Sequence, residues 1–161
     1  MRKFARKPGG LIAALASIGC SVSPRNTVDY KARTWPTREL EAASILIAAE
    51  SVTNKPGSPT YIDLPKHDFS IVENALRDHA QRQIRRGGWG GKNGPMRKCF
   101  AIKDVVKDEE TARVTVTFVS DLGSFSNTTI LFEPSRDGVG ESWKYVESKP
   151  QEYGLIERPN Y

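Results

Sequence analysis

The side chains able to move a proton, attack a carbon or hold a soft metal near neutral pH are few: His67, His79, Cys20 and Cys99. Two histidines and two cysteines so dispersed do not form a zinc-ligand spacing, so no metal and no cofactor is expected. His79 falls seven residues after Val72 on an expected helix, where it could face a pocket with Asp78 beside it and Cys99 opposite. No nucleophile motif surrounds Cys99, however, and within the apolar stretch "KCFAI" it reads as a small buried hydrophobe. No catalytic residue is assigned.

A second chemistry lies in the run "RRGGWGGKNGP" at 85–95. It lacks the Gly-Lys-Ser/Thr ending of a phosphate-binding loop and leads into a strand pattern, whereas such a loop leads into a helix. Trp89 stands among Arg85, Arg86 and Lys92, with Arg82, Arg97 and Lys98 close by. One reading is basic residues complementing a helix end, with glycines spanning to the next element. The other is a partner-binding loop whose Trp89 anchors in a protein or rests on a glycan or anionic surface.

The third chemistry concerns covalent modification. "MRKFARK" has four basic residues and no acid, and an uncharged run of Leu, Ile and Ala follows up to Gly19. That order is the layout of an export signal. About 11 apolar residues fall well short of the roughly 20 that span a bilayer as a helix. Ala16, Ser17, Ile18, Gly19 and Cys20 resemble the lipobox of bacterial lipoprotein signal peptides. The resemblance implies a diacylglycerol on the Cys20 sulfur, cleavage before Cys20 and acylation of the new amino terminus. Ser21 follows, where an Asp would imply retention at the inner membrane, so the resemblance implies the periplasmic side of the outer membrane. A cut after Ala16 is the alternative, and it would leave Cys20 free to pair with Cys99 in an oxidising compartment.

Residues 1–19 hold four of the 24 Lys and Arg and none of the 19 Asp and Glu, so the remaining chain is almost neutral. Nucleic acid is therefore not an expected partner, because that binding rests on clustered unpaired cations. The parts expected are a signal peptide at 1–19, a flexible tether at 20–35, one α+β domain at 36–150 and a tail at 151–161.

The elements that would position these groups follow from periodicity. Pro36, Thr37 and the acids Glu39 and Glu41 open a helix over about 38–53, and Leu40, Ala43, Ile47, Ala42, Leu46 and Ala49 give it a wide apolar face. The stretch 57–69 reads as a loop. Ser70 and Glu73 have capping-box spacing, and Val72, Leu76, Ala80 and Ile84 repeat at helical intervals to a stop at Gly87. From 98 onward the pattern alternates, giving two antiparallel strand pairs with Ala112, Val114, Val116 and Phe118 on one face of one strand and Trp143 with Tyr145 on one face of another. Two N-terminal helices on a curved four-stranded antiparallel sheet resemble NTF2-like and cystatin-like cones in element order.

The expectation is a lipid-anchored, non-catalytic envelope protein, held to the membrane through its lipid, that binds an envelope protein or glycan. The alternatives from other classes are a pocket enzyme on an NTF2-like scaffold and a lipoprotein subunit of a secretion or conjugation apparatus. Replacing Cys20→Ser removes the only sulfur at the cut site. The variant should keep residues 1–19 and lose fatty-acid labelling, as read by gel mobility and radiolabelled palmitate; a wild-type mature chain beginning at Ser17 would refute the lipid anchor.

Overall fold

Alternating apolar and polar residues build most of this chain into sheet. The elements, in order, are β1 (Thr34–Pro36), a 3-10 turn (Thr37–Glu39), α1 (Leu40–Glu50), β2 (Thr60–Asp63), α2 (Lys66–Arg77), β3 (Ile84–Arg86), β4 (Cys99–Lys107), β5 (Ala112–Val119), β6 (Ser124–Pro134) and β7 (Ser142–Leu155). They come from a computed structural model that describes residues 29–52, 59–77, 84–90, 96–136 and 141–156. The seven strands form one curled, half-barrel sheet in the order β1-β7-β6-β5-β4-β2-β3. β2 pairs parallel with both β3 and β4, and every other pairing is antiparallel.

This corrects the expected architecture of two helices on a four-stranded antiparallel sheet, and with it the NTF2-like or cystatin-like cone. The two long hairpins expected from alternation are present as β4–β5 and β6–β7. Three further strands were hidden by their brevity. β2 is four residues long inside a stretch flanked by prolines, yet Thr60 and Ile62 are buried. Ile84 fits a helical repeat, but it stands in β3 opposite Thr60. β1 is three residues long, and its Trp35 is wholly buried opposite Trp143 of β7. Runs this short carry too few repeats for a period to be read.

The second helix begins one turn before the expected cap. Pro65 precedes it, its O accepts the Phe69 N–H, and Ser70 lies within the helix, its hydroxyl donating to Lys66 O. Pro65 explains the start, because a ring without an N–H suits the position where helical donors are not yet needed.

α1 departs further from a surface helix. Every residue from Ala42 to Ala49 is buried, including Ser44, whose hydroxyl donates to Leu40 O at 2.7 Å. The sheet covers the helix through β1, β4, β5 and β6, and α2 covers the rest. Val114, Val116, Ile130, Phe132, Trp35 and Trp143 fill the space between helix and sheet. The indole N–H groups both have acceptors: Trp35 Nε1 donates to Tyr30 O at 3.1 Å, and Trp143 Nε1 to Thr37 Oγ1 at 2.8 Å.

Residues 29–33 form a turn in which Tyr30 is 3% exposed and its hydroxyl donates to Ala75 O of α2. At the other end β7 runs to Leu155, so the strand continues into the expected tail.

The opposite face of the sheet is tied by side chains rather than by a second layer of helices. Thr115 and Thr129 share a hydroxyl hydrogen bond of 3.1 Å, Thr117 donates to Asn127 Oδ1 at 2.6 Å, and Asn127 donates to Glu152 Oε2 at 2.8 Å. Lys103, the extra residue at a bulge in β4, reaches the same Oε2 at 3.3 Å. Cross-strand pairs of this kind each add a few tenths to about 1 kcal/mol.

The core sets a clear expectation. Trp35→Ala should lower the unfolding free energy by about 3–5 kcal/mol, read from urea denaturation, because it empties a wholly buried indole volume between α1 and β7.

Candidate partner-binding edge

The residues singled out by sequence divide sharply once placed. Cys20, His79 and Lys92 lie outside the described residues. Arg85 and Arg86 are exposed on β3, the last strand of the sheet order, and Trp89 is half-buried just beyond it. These three do gather at one edge.

The segment after β3 is fixed to the sheet at its start. Gly87 N–H donates to Ile62 O at 3.1 Å, and the Cys99 thiol faces Gly87 O at 3.6 Å and Phe100 O at 3.4 Å. Gly87 takes φ +142° and Gly90 φ +103°, conformations that side-chain-bearing residues rarely adopt, so the glycines let the chain turn twice around Trp89. On return the chain seats Met96 against the β5–β6 turn. A Cβ on Gly123, where φ is +85°, would sit 2.7 Å from Met96 Sδ.

Beside this loop lies a stacked pair that sequence reading left in a supposed loop. The Arg97 guanidinium sits over the Tyr61 ring at 4.7 Å, and Tyr61 stands opposite both Arg85 and Cys99 in the ladder. Tyr61, Asp63 and Arg85 therefore share one sheet face, with Arg86 on the other. The edge offers Arg85, Arg97, the Tyr61 ring and Asp63, with Arg86 on the other face and the Trp89 indole just beyond the strand. Arginine forks bind carboxylates, phosphates and backbone carbonyls, and aromatic faces add area at low entropic cost. The only hint in sequence to Tyr61 was the pair of apolar-alternating residues Tyr61-Ile62 between prolines.

Among the described residues, the remaining candidates lie apart from this edge or beneath it. Burial pushes the Cys99 thiol up from 9.0 to about 12, with the Asp63 charge adding to the effect, so the sulfur is a thiol and not a nucleophile near neutral pH. His67 is exposed on the first turn of α2. A groove of about 320 Å³ opens between α1, α2 and the turn before β1, lined by Tyr30, Arg33, Trp35, Leu46, Ile71 and Asn74. Arg33 lies over the Trp35 ring at 4.3 Å and near Glu39 at 3.8 Å.

The chain matches no family model, no curated protein and no solved structure.

A small acidic group sits where the two helices begin. Asp68 is buried in the first turn of α2, and among the described residues its Oδ1 has no hydrogen-bond partner. Burial raises its pKa above the usual carboxylate range; His67 opposes that shift and Glu39 adds to it. Glu41 is raised by burial and then by Asp68. Among the described residues no trio of His, Cys, Asp or Glu is placed to hold a metal ion.

Cys99 supplies a pH signature. Its folded pKa lies above the unfolded one, so below pH 9 both states keep the proton and the contribution is fully present. As pH rises from 9 to about 12 only the unfolded state ionises, and stability falls. Cys99→Ala should flatten that alkaline decline in urea midpoints, and the native wild-type thiol should resist iodoacetamide at pH 8.

Proposed function

We propose that this chain is a lipid-anchored protein of the bacterial cell envelope with a binding role, carried on the periplasmic side of the outer membrane by Cys20. In this reading the β3 edge and the Trp89 segment contact an envelope protein or glycan.

The single observation that supports it is the placement of the two ends of the sheet. The chain enters at β1, the strand at one end of the order, and Arg85, Arg86 and Trp89 lie at the other. Seven strands spaced about 4.8 Å apart separate those edges by roughly 29 Å along the sheet. A domain tethered through residues before Asp29 thus presents its basic aromatic edge away from its point of attachment. The core between α1 and the sheet is filled by aliphatic and aromatic side chains. Among the described residues no helix is long and apolar enough to cross a membrane, and in this reading attachment comes from acyl chains.

The test is capture from detergent-solubilised envelopes with the full chain as bait. Arg85 and Arg86 are exposed, so Arg85→Glu with Arg86→Glu should leave stability within about 0.5 kcal/mol. Capture should fall by roughly thirtyfold or more, the size expected when an interface anchor is lost. Unchanged capture in this variant and in Trp89→Ala would refute the edge as the binding surface.

A further inference from the structure

β1 covers only the first three residues of the β7 edge, Ser142 to Lys144. From Tyr145 to Leu155 no described strand pairs with that side of β7. We propose that a second copy of this chain occupies it, with β7 pairing antiparallel to the partner's β7 across a two-fold axis between residues 150 and 151. The inference goes beyond the binding role above and concerns the opposite edge of the sheet.

Two considerations bear on the axis. The first is length. A strand that pairs with itself antiparallel uses most of a free stretch when its axis lies near the midpoint; for 145–155 that midpoint is Pro150, half a residue from the proposed axis. The partner strand would then end where β1 begins, so the two fit end to end along one edge.

The second is chemistry. That axis sets Lys149 opposite the partner's Glu152, and Glu152 opposite the partner's Lys149. It also sets Val146, 43% exposed, against the partner's Leu155, 73% exposed, and Tyr153, 78% exposed, against the partner's Ser148. Moving the axis one residue toward the amino end places Glu147 opposite the partner's Glu152 and loses both ion pairs. Moving it one residue the other way leaves Lys149 facing Gly154.

Sheet geometry permits the axis because of a bulge. A regular strand can pair with itself only about a residue, since side chains alternate faces and opposed residues must share one. In β7 Glu152 opposes Asn127 and Pro150 opposes Thr128, which makes Gln151 an extra residue and shifts the alternation by one. Lys149 opposes Thr129 and Glu152 opposes Asn127, both on the face away from the helices. Ser148 opposes Ile130 and Tyr153 opposes Ser126, both on the helix side. The pairs Lys149–Glu152 and Ser148–Tyr153 thus have their members on one face, while Val146 is the extra residue at a second bulge, between Glu147 opposite Leu131 and Tyr145 opposite Phe132.

Pro150 and the Gln151 bulge sit at the axis, where Pro150 provides no N–H. The ladder consequently forms in two flanking stretches, 146–149 against the partner's 152–155 and the reverse. Proline, bulges and charges on an edge disfavour indiscriminate strand addition, and a closed two-fold pair leaves nothing for further copies to extend. Lys103 and Asn127 both reach Glu152 Oε2, which leaves Oε1 to face the partner's Lys149, and Lys149, paired at 2.6 Å with Glu147 of its own strand, would bridge Glu147 and the partner's Glu152.

The experiment uses the full chain in detergent, with unlabelled and 15N-labelled protein mixed. Sedimentation should show a reversible dimer, and zero-length carbodiimide coupling should join Lys149 of one isotopic form to Glu152 of the other. Lys149→Glu alone and Glu152→Lys alone should each weaken the dimer at least about tenfold, and an equal mixture of the two should recover it, because both ion pairs re-form in the heterodimer. Circular dichroism on each variant checks the fold. Should Glu152→Lys unfold through loss of its Asn127 contact, Leu155→Asp replaces it and should weaken the dimer by a similar factor. A monomer at concentrations up to about 100 μM, or a dimer indifferent to Lys149→Glu and Leu155→Asp, would overturn the proposal. The readout needs neither the anchor nor the β3 edge, so its failure leaves the binding role standing, and the reverse holds as well.

Discussion

The constraint that governs this molecule is a helix with no polar side to give to water. From Ala42 to Ala49 α1 is Ala, Ser, Ile and Leu alone, and every one of those residues is buried. A helix that is apolar all round must be enclosed, and two layers packed on one stripe cannot enclose it. The sheet therefore curls, reaching α1 from β1 at one edge and from β4 near the other, and α2 closes the remaining side. The two tryptophans belong to the same requirement. Trp35 and Trp143 lie opposite each other in β1 and β7, and their indole N–H groups reach Tyr30 O and Thr37 Oγ1 so that no donor is lost on burial.

α1 fills the concavity of the sheet, and a groove opens beside it between α1, α2 and the turn before β1. Cys99 lies in the core, where its thiol faces Gly87 O and is held protonated by burial. The sheet has two margins. One margin carries Arg85, Arg86 and the Arg97–Tyr61 stack, and the other carries the uncovered length of β7. These margins differ in kind: the first is charged and aromatic, while the second offers backbone groups with alternating charge and apolar side chains.

Polar networks hold the outer face of the sheet where no helix covers it. Asn127 is almost fully buried and joins Thr117 to Glu152, which in turn receives Lys103 from the bulge in β4. Side chains from four strands are tied by one carboxylate, and such a chain resists sliding of register because each hydrogen bond is specific to its row. At the β4–β5 turn Asp108 does the same locally, its Oδ1 accepting the N–H groups of Glu110 and Thr111, which lowers its pKa.

The sequence by itself determined what repeats. Alternation marked β4 to β7 and the buried row Ala112, Val114, Val116; the apolar setting of Cys99 marked a core thiol. Tertiary structure alone decided what short segments do. Thr34–Pro36, Thr60–Asp63 and Ile84–Arg86 hold too few residues to show a period, and each is a strand only because a longer neighbour offers it a ladder. Tyr61 therefore joins the basic edge on no more local signal than the pair Tyr61-Ile62 between prolines. Leu40, Ala42, Ala43, Leu46, Ile47 and Ala49 make the wide apolar face that a helix on an open sheet needs, and only the curl of seven strands buries Ser44, Ile45 and Ala48 as well. Sequence periodicity reports the side chains a segment wants to hide, whereas the number of neighbours available to hide them is a property of the assembled fold.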